Sequence, residues 1–412
     1  MLPNQRMKFK NKIWRKMKLG EIVNINMGQS PRSEFYNSRG EGMPFYQGVT
    51  DFGEKYPKKS TYCSQPTKIA EAGDIFFSVR APVGDVNVAI EKSCIGRGVA
   101  ALRMKNGNND FLYFFLKNYE RYFKGISGGT TYESINKDQL EDIEFIIPSD
   151  LNEQKRIAFI LSAFDDKIEL NNKISRTLEQ TAQAIFKEWF IKFKYPGHEK
   201  VKMVDSELGK IPVGWGVKKF FEIAHLNRGV SYSSKEISAK EGGLPMINLA
   251  NFLRGGGFNS SGVKHYTGVY KDSHLVKPGQ IIIAMTDLTS NREVIGHPAR
   301  VPEDFSKALI SLDVCSINTE DIYVEFLYSL MLRRSFSQLM AGSASGTNVS
   351  HLNKTNIEEY LLILPSRDLL PKFNKLIRPM FTQQINLSAE NQKLTALRDL
   401  LLPKLMSGEI KV

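Results

Sequence analysis

The residue types that could make or break covalent bonds are present in this chain, but their spacing does not assemble a reaction centre. Asp205, Glu207 and Lys210 have the carboxylate and lysine content of a nuclease site, yet they stand in a Gly/Pro-rich stretch that reads as a surface linker. His198, His225, His265, His274, His297 and His351 form no HxxxH ligand pair, and no GxSxG serine accompanies them. Cys63, Cys94 and Cys315 lie far apart, so neither a CxxC zinc motif nor a disulfide framework is expected, and a reducing cytoplasm fits. Gly255-Gly256-Gly257 leads into Phe258-Asn259-Ser260 rather than a helix start, and reads as a flexible loop. A GxxxxGK[ST] phosphate loop and the Asn/Asp-Pro-Pro-aromatic loop of a methyltransferase are both missing. The expectation is a chain with no cofactor, no metal and no catalytic residue.

The remaining chemistry is recognition. A net charge of +12 and a pI near 9.3 favour a polyanion partner, nucleic acid first. Arg6, Lys8, Lys10, Lys12, Arg15, Lys16 and Lys18 all precede the first acidic residue, Glu21, as either a solvated tail or a phosphate-contacting arm. Base edges are read by Arg, Lys, Asn and Gln, whereas Ser, Thr and Tyr more often position phosphates. On that chemistry the candidates in the N-terminal half are Arg80, Lys92, Arg97, Thr130, Thr131, Tyr132 and Lys137. Those in the C-terminal half are Arg228, Tyr232, Arg254, Arg292, Thr347, Asn348 and Lys354. The Gly-Gly-Thr-Thr and Ser-Gly-Thr-Asn loops suit close backbone approach to phosphate. Hydrophobic residues at 42% and charged residues at 24% are those of an ordinary soluble protein. A membrane span and a signal peptide are not expected.

What positions these residues is a repeat. Trp14 matches Trp215 at an offset of 201, as do Lys18 and Lys219, Glu21 and Glu222, Gly28 and Gly229, and Gly42-Met43-Pro44 and Gly243-Leu244-Pro245. Gly73-Asp74-Ile75 aligns with Gly279-Gln280-Ile281 at 206, and Phe115-Leu116 with Phe326-Leu327 at 211. Gly129-Thr130, Asn136-Lys137 and Pro148-Ser149 align with Gly346-Thr347, Asn353-Lys354 and Pro365-Ser366 at 217. Offsets that rise in steps are what loop insertions between fixed elements produce. Each half is expected to be mixed α and β. Strands are predicted at Asp74–Arg80, Val99–Arg103 and Ile143–Ile147, and at Gln280–Met285 and Tyr360–Leu364. Helices are predicted from Asp110 and from Asp321.

After each half the period changes to 4-3-4-3. Ile157, Leu161, Phe164, Ile168, Asn171, Ser175, Leu178, Ala182, Ile185 and Trp189 form one seam. Phe373, Ile377, Met380, Gln384, Leu387, Asn391, Leu394, Arg398, Leu401 and Leu405 form the other. Packing of each helix on its own domain is the plainer alternative, but length and repeat position favour a coiled coil. Polar residues near mid-helix predict an antiparallel pair with facing polar layers and a pseudo-two-fold relation between the halves. Ile157 to Trp189 would span about 48 Å, against about 34–36 Å between half-sites on one face of DNA. Pro379 is expected to kink or break the second helix.

With these features in place, the chain resembles a specificity subunit of a type I restriction-modification system over essentially its whole length. The likeness rests on Gly73-Asp-Ile-Phe-Phe-Ser78, on Gly129-Thr130 leading to Asn136-Lys137 and Ile146-Ile-Pro148, and on Gln154-Lys-Arg-Ile157. Ile185-Phe-Lys-Glu-Trp-Phe190, Asp205-Ser-Glu-Leu-Gly-Lys-Ile-Pro-Val-Gly-Trp215 and Leu400-Leu-Leu-Pro-Lys-Leu-Met-Ser-Gly-Glu-Ile410 complete it in order. The second helix opens with Leu369-Leu370-Pro371 where the first has Glu153-Gln154-Lys155, a departure at a docking surface.

The resemblance implies an α+β protein: target-recognition domains at 1–150 and 201–365, helical spacers at 151–200 and 366–412. Each domain would read one half of a bipartite, asymmetric double-stranded DNA target, with the helices as ruler. The partners implied are methylation subunits carrying S-adenosylmethionine, two of them, and restriction subunits with ATP-driven translocation. Self-association of the free chain through its helices stays open. The competing reading is a stand-alone DNA methyltransferase or nuclease with built-in recognition domains, and a third is a structural coiled-coil scaffold.

Overall fold

The computed structural model describes residues 14–125, 133–238, 242–260, 262–289, 291–346 and 349–412. The N-terminal half is built on a four-stranded antiparallel sheet in the order Val23–Met27, Val99–Met104, Ile75–Ser78, Val86–Val88. Ile75, Phe76, Phe77 and Ser78 are buried on both faces, which is why this stretch reads as an unbroken apolar run. A second, five-stranded sheet runs Tyr36–Asn37, Tyr62–Cys63, Met43–Tyr46, Ser93–Ile95, Ile69–Ala70, with Phe45 and Cys94 in a parallel pairing. Trp14–Lys18 pairs with Glu144–Pro148 and closes the half.

The C-terminal half repeats this plan strand for strand. Its four-stranded sheet is Ala224–Arg228, Val314–Thr319, Ile281–Ala284, Pro298–Arg300. Its five-stranded sheet is Ile237–Ser238, Lys264–Tyr266, Leu244–Ile247, Ala308–Ile310, Leu275–Val276, again with one parallel pairing, Met246 beside Leu309. Gly216–Lys219 with Leu361–Leu364 closes it. The matched glycines have a reason: a Cβ on Gly28 would stand 2.2 Å from the Gly96 carbonyl oxygen, and one on Gly229 would stand 2.1 Å from that of Ile310. Both amides donate to the equivalent strand, Gly28 to Val99 and Gly229 to Val314.

The offset does not rise monotonically, as the sequence had suggested. Val99–Met104 corresponds to Val314–Thr319 at 215, before the helices return to 211. The N-terminal half turns through Asn106-Gly107 into the helix Asn109–Phe123, whereas the C-terminal half reaches Asp321–Met331 almost directly, so one turn is shorter. The stretch holding Asp205, Glu207 and Lys210 is also not an irregular linker. It is a hairpin, Met203–Ser206 against Gly209–Pro212, with Asp205 opposite Lys210.

Two long helices follow the halves: a central helix, Leu151–Phe186, and a C-terminal helix, Leu370–Met406. The chain divides into two compact units, Met1–Glu169 with Lys393–Val412, and Leu170–Gln392. In the first unit, Ile157 and Leu161 of the central helix share a core with Phe77, Phe115, Phe145 and with Leu402, Leu405 and Met406 of the C-terminal helix. In the second, Phe186, Trp189 and Phe190 pack with Trp215, Phe326, Phe373 and Ile377. The Phe190 and Phe373 rings lie 4.8 Å apart, edge to face.

Within the second unit the helix segments run antiparallel. The Asn171 amide donates to Asn391 at 2.9 Å and to Glu390 at 2.8 Å, and Gln384 donates to the Ser175 carbonyl at 2.8 Å. Asn391 in turn donates to Asn172 at 2.8 Å. Among the remaining seam residues Ile157, Leu161, Ile168, Ala182, Trp189, Phe373, Ile377, Leu387 and Leu405 are buried. Phe164, Leu178, Ile185, Met380, Leu394, Arg398 and Leu401 are partly so. The C-terminal helix passes through Pro379 without a break, so the interruption expected there does not occur. Proline's fixed φ is itself helical, and buried Phe373, Ile377 and Phe381 on either side hold the turn in place.

Candidate nucleic-acid interface

The ends of the four-stranded sheets bring together four of the nine described candidates, Arg80 with Arg97 in the N-terminal half and Arg228 with Arg292 in the C-terminal half. In the N-terminal half Val79 donates to Gly98 at 3.0 Å, extending the ladder beyond the Ser78–Val99 pair and setting Arg80 opposite Arg97. Both arginines are exposed, and among the described residues neither guanidinium has an ion-pair or hydrogen-bond partner. Arg97 is anchored through its backbone, whose N–H donates to Ser30 Oγ at 3.1 Å. Burial pushes the nearby Tyr36 phenol up, and the positive charge of Arg97 works against that shift. Ala81 donates to Glu133 and Ile135 to Val79, both at 3.0 Å, so the chain from Glu133 to Ile135 runs beside Arg80. Thr130, Thr131 and Tyr132 themselves lie outside the described residues.

The equivalent corner of the C-terminal half has different chemistry. Met285 donates to Asp313 at 2.8 Å, which sets Thr286 opposite Leu312, and Arg228 reaches over to donate to the Leu312 carbonyl at 2.9 Å. Gly296 donates to Ala284 as Gly84 does to Ser78, so the turn between these strands begins and ends alike. It holds 288–295 where the N-terminal half has only Pro82 and Val83. Asp287, 2% exposed, organises this longer loop. It accepts from Thr289 N and Oγ1, both at 2.7 Å, from Val294 N at 2.6 Å and from Ile295 N at 3.1 Å. Burial works against the Asp287 charge, but the Val294, Thr289 and Ile295 donors outweigh it and hold the carboxyl below its ordinary value.

Arg292 lies on this loop with φ +53°. Its guanidinium is engaged internally, donating to Ser350 Oγ at 3.0 Å and to the Ala341 carbonyl at 2.6 Å. Leu288, 71% exposed, and Asn291 stand at the exposed end of the same loop. Asp287, Leu288 and Asn291 are not marked in the sequence, because nothing in their spacing sets them apart from any polar loop. Thr347 and Asn348 lie outside the described residues.

The other candidates are scattered and already paired. Lys92 faces Glu71 at 3.3 Å and Arg254 faces Glu293 at 3.0 Å. Lys137 and Lys354 open the short helices Lys137–Glu141 and Lys354–Glu358 and pair with Glu141 and Glu358 four residues on, at 3.5 and 2.9 Å. The preceding Asn136 and Asn353 are N-caps, each accepting from a backbone N–H, which accounts for the repeated Asn-Lys dipeptide structurally. Tyr232 lies under Lys264, 5.9 Å from its ring centre. Such exposed pairs contribute little to stability and can exchange their carboxylate for a phosphate. Among the described residues no group of three or more His, Cys, Asp or Glu side chains could hold a metal ion. No helix among them is long and apolar enough to cross a membrane.

Two mixed α/β halves of one plan, each followed by a long helix, define a protein built by internal duplication. The chain matches the family model of the type I restriction modification DNA specificity domain twice, over residues 11–180 and 212–395, and it belongs to that family. It is similar to the type I restriction enzyme MjaIX specificity subunit of Methanocaldococcus jannaschii, at 28% identity over 97% of this chain and 94% of the relative. It is also similar to the HindI specificity subunit of Haemophilus influenzae, at 27% identity over 84% and 88% of the two chains. Its fold resembles the crystal structure of a type I S subunit from M. genitalium, with TM-score 0.59, 19% identity and coverage of 97% and 98%.

Proposed function

We propose that this chain is the sequence reader of a type I restriction-modification complex, binding a bipartite, asymmetric double-stranded DNA target and performing no chemistry of its own. The observation that carries the reading is a shared scaffold with unlike corners. The same strand order recurs in both halves, yet Arg80 and Arg97 occupy the corner that in the other half holds Thr286, Leu312 and Arg228. Two readers with one frame and different contact chemistry suit two different half-sites. In this reading Arg80, Arg97 and Arg228 contact DNA directly, with Asn291 and Leu288 at the tip of the longer loop. Lys92, Lys137, Tyr232, Arg254 and Lys354 supply phosphate contacts, joined by Thr130, Thr131, Tyr132, Thr347 and Asn348. Arg292 holds its loop.

The paired helices set the spacer between half-sites and, with parts of the recognition halves, dock two methylation subunits; restriction subunits join that assembly. The experiment is a methyl-transfer assay with S-adenosylmethionine and host genomic DNA. The chain alone should give no transfer, and the chain assembled with its methylation subunits should methylate one bipartite sequence. Turnover by the chain alone would instead support the stand-alone methyltransferase.

A further inference from the structure

Each unit contains a buried carboxylate held between two cations, and each links the recognition half to the helices, but from opposite sides: Asp165 lies on the central helix and Glu325 on the helix Asp321–Met331 of the recognition half. In the first unit Asp165, on the central helix, is 5% exposed at its side chain. Its Oδ1 receives Arg398 of the C-terminal helix at 2.7 Å, and its Oδ2 faces Lys55 of the recognition half at 3.3 Å. The carbonyl of Lys55 accepts from Val88 at 2.8 Å, which ties the cation to the edge strand Val86–Val88. In the second unit Glu325 is 1% exposed at its side chain. It receives the buried Arg300 at 2.5 Å and, at 3.0 Å, the half-exposed Arg378 of the C-terminal helix, which also pairs with Asp321 at 2.9 Å. Arg300 ends the edge strand Pro298–Arg300, the counterpart of Val88, and its guanidinium lies 4.5 Å from the Tyr328 ring centre and 5.1 Å from that of Phe381. In both units the path therefore runs from the edge strand through a cation and a buried carboxylate to an arginine of the C-terminal helix.

A buried cluster of this kind is a poor way to gain stability, since well-packed apolar side chains do as well or better. What it adds is direction: a carboxylate shared by two cations tolerates little rotation of one element against another, whereas an apolar contact slides. We propose that the Asp165 and Glu325 clusters are angular clamps that fix each recognition half on the helices, and are thereby the positioning residues for spacer-length selectivity. This inference rests on the reading that the helices set the spacer.

The test uses the full chain assembled with its methylation subunits. The probes are duplexes carrying its mapped half-sites at the native spacing and at one base pair more or less. Lys55→Met and Arg378→Met leave each carboxylate one cation; Asp165→Asn and Glu325→Gln remove its charge, and thermal melting reports which variants fold. The expected result is that folded clamp variants lose roughly tenfold in discrimination between native and altered spacing. Their penalty for a wrong base within a half-site should stay unchanged, a combination that mere destabilisation would not produce. Lys55→Arg, which keeps the cation, should retain the wild-type spacing profile. Folded variants that keep the wild-type spacing profile would overturn the clamps. A control with one heptad inserted in each helix separates the two layers: if the preferred spacing does not move, the ruler reading itself fails.

Discussion

Asp287 shows how one carboxylate can decide the shape of a loop. Four donors converge on it, and its folded-state value lies below that of the free side chain. A depressed carboxylate stabilises the fold above its unfolded value, about pH 4, and loses that contribution as pH falls through the folded value. Asp287→Asn should therefore lower the stability of the C-terminal half by about 2 kcal/mol at neutral pH, the scale of hydrogen bonds to a charged acceptor. The gap from wild type should close below about pH 4. Thermal melts of both proteins between pH 3 and 7 check this; a gap independent of pH would contradict it. The arginines of the other corner separate by salt. Arg80→Ala or Arg97→Ala should relax one base position if that side chain reads a base edge, at about 1–3 kcal/mol. A phosphate contact would instead weaken all sequences alike and lower the salt slope by about 1. Binding titrations of the assembled complex across salt concentrations distinguish these, and unchanged binding by both variants would remove the corner from the interface.

At the scale of elements, the mid-helix polar layer and Pro379 make opposite predictions. Replacing Asn391 alone by Leu sets an apolar side chain against the buried Asn171 amide, which keeps only its bond to Glu390, and should destabilise the helix pair, whereas the double Asn171→Leu, Asn391→Leu variant should melt higher than either single variant. A double-mutant cycle followed by thermal unfolding measures the coupling. Pro379→Ala should stabilise the C-terminal helix, because Pro379 is exposed and its ring denies Lys375 a backbone donor; a gain of about 1–3 kcal/mol is expected. Much of this level was legible in the sequence. The seams followed from a 3.5-residue period, and the repeat from tryptophan and glycine matches that close backbone approach explains at Gly28 and Gly229. Three features were not legible. The rise and fall of the offset depends on turn length, which leaves no mark on residue type. Arg292 looks like any loop cation, and only Ser350, brought beside it by the fold, reveals its internal role. The Asp165 and Glu325 clusters join residues hundreds of positions apart or on different elements, and a charged residue in a helix carries no sign of burial.

For the whole molecule, the proposed division of labour is that the helices fix spacer length and the two corners fix half-site identity. Inserting one heptad into each helix adds about 10 Å, close to three base pairs, so the preferred spacer should lengthen by about that much with both half-sites unchanged. The most direct test of the central claim is a genome-wide map of the positions methylated when this chain and its methylation subunits are expressed together in a host lacking other such systems. The expected map shows one motif made of two different short sequences separated by a fixed stretch of unspecified bases. A single uninterrupted motif, or methylation by the chain expressed alone, would contradict it.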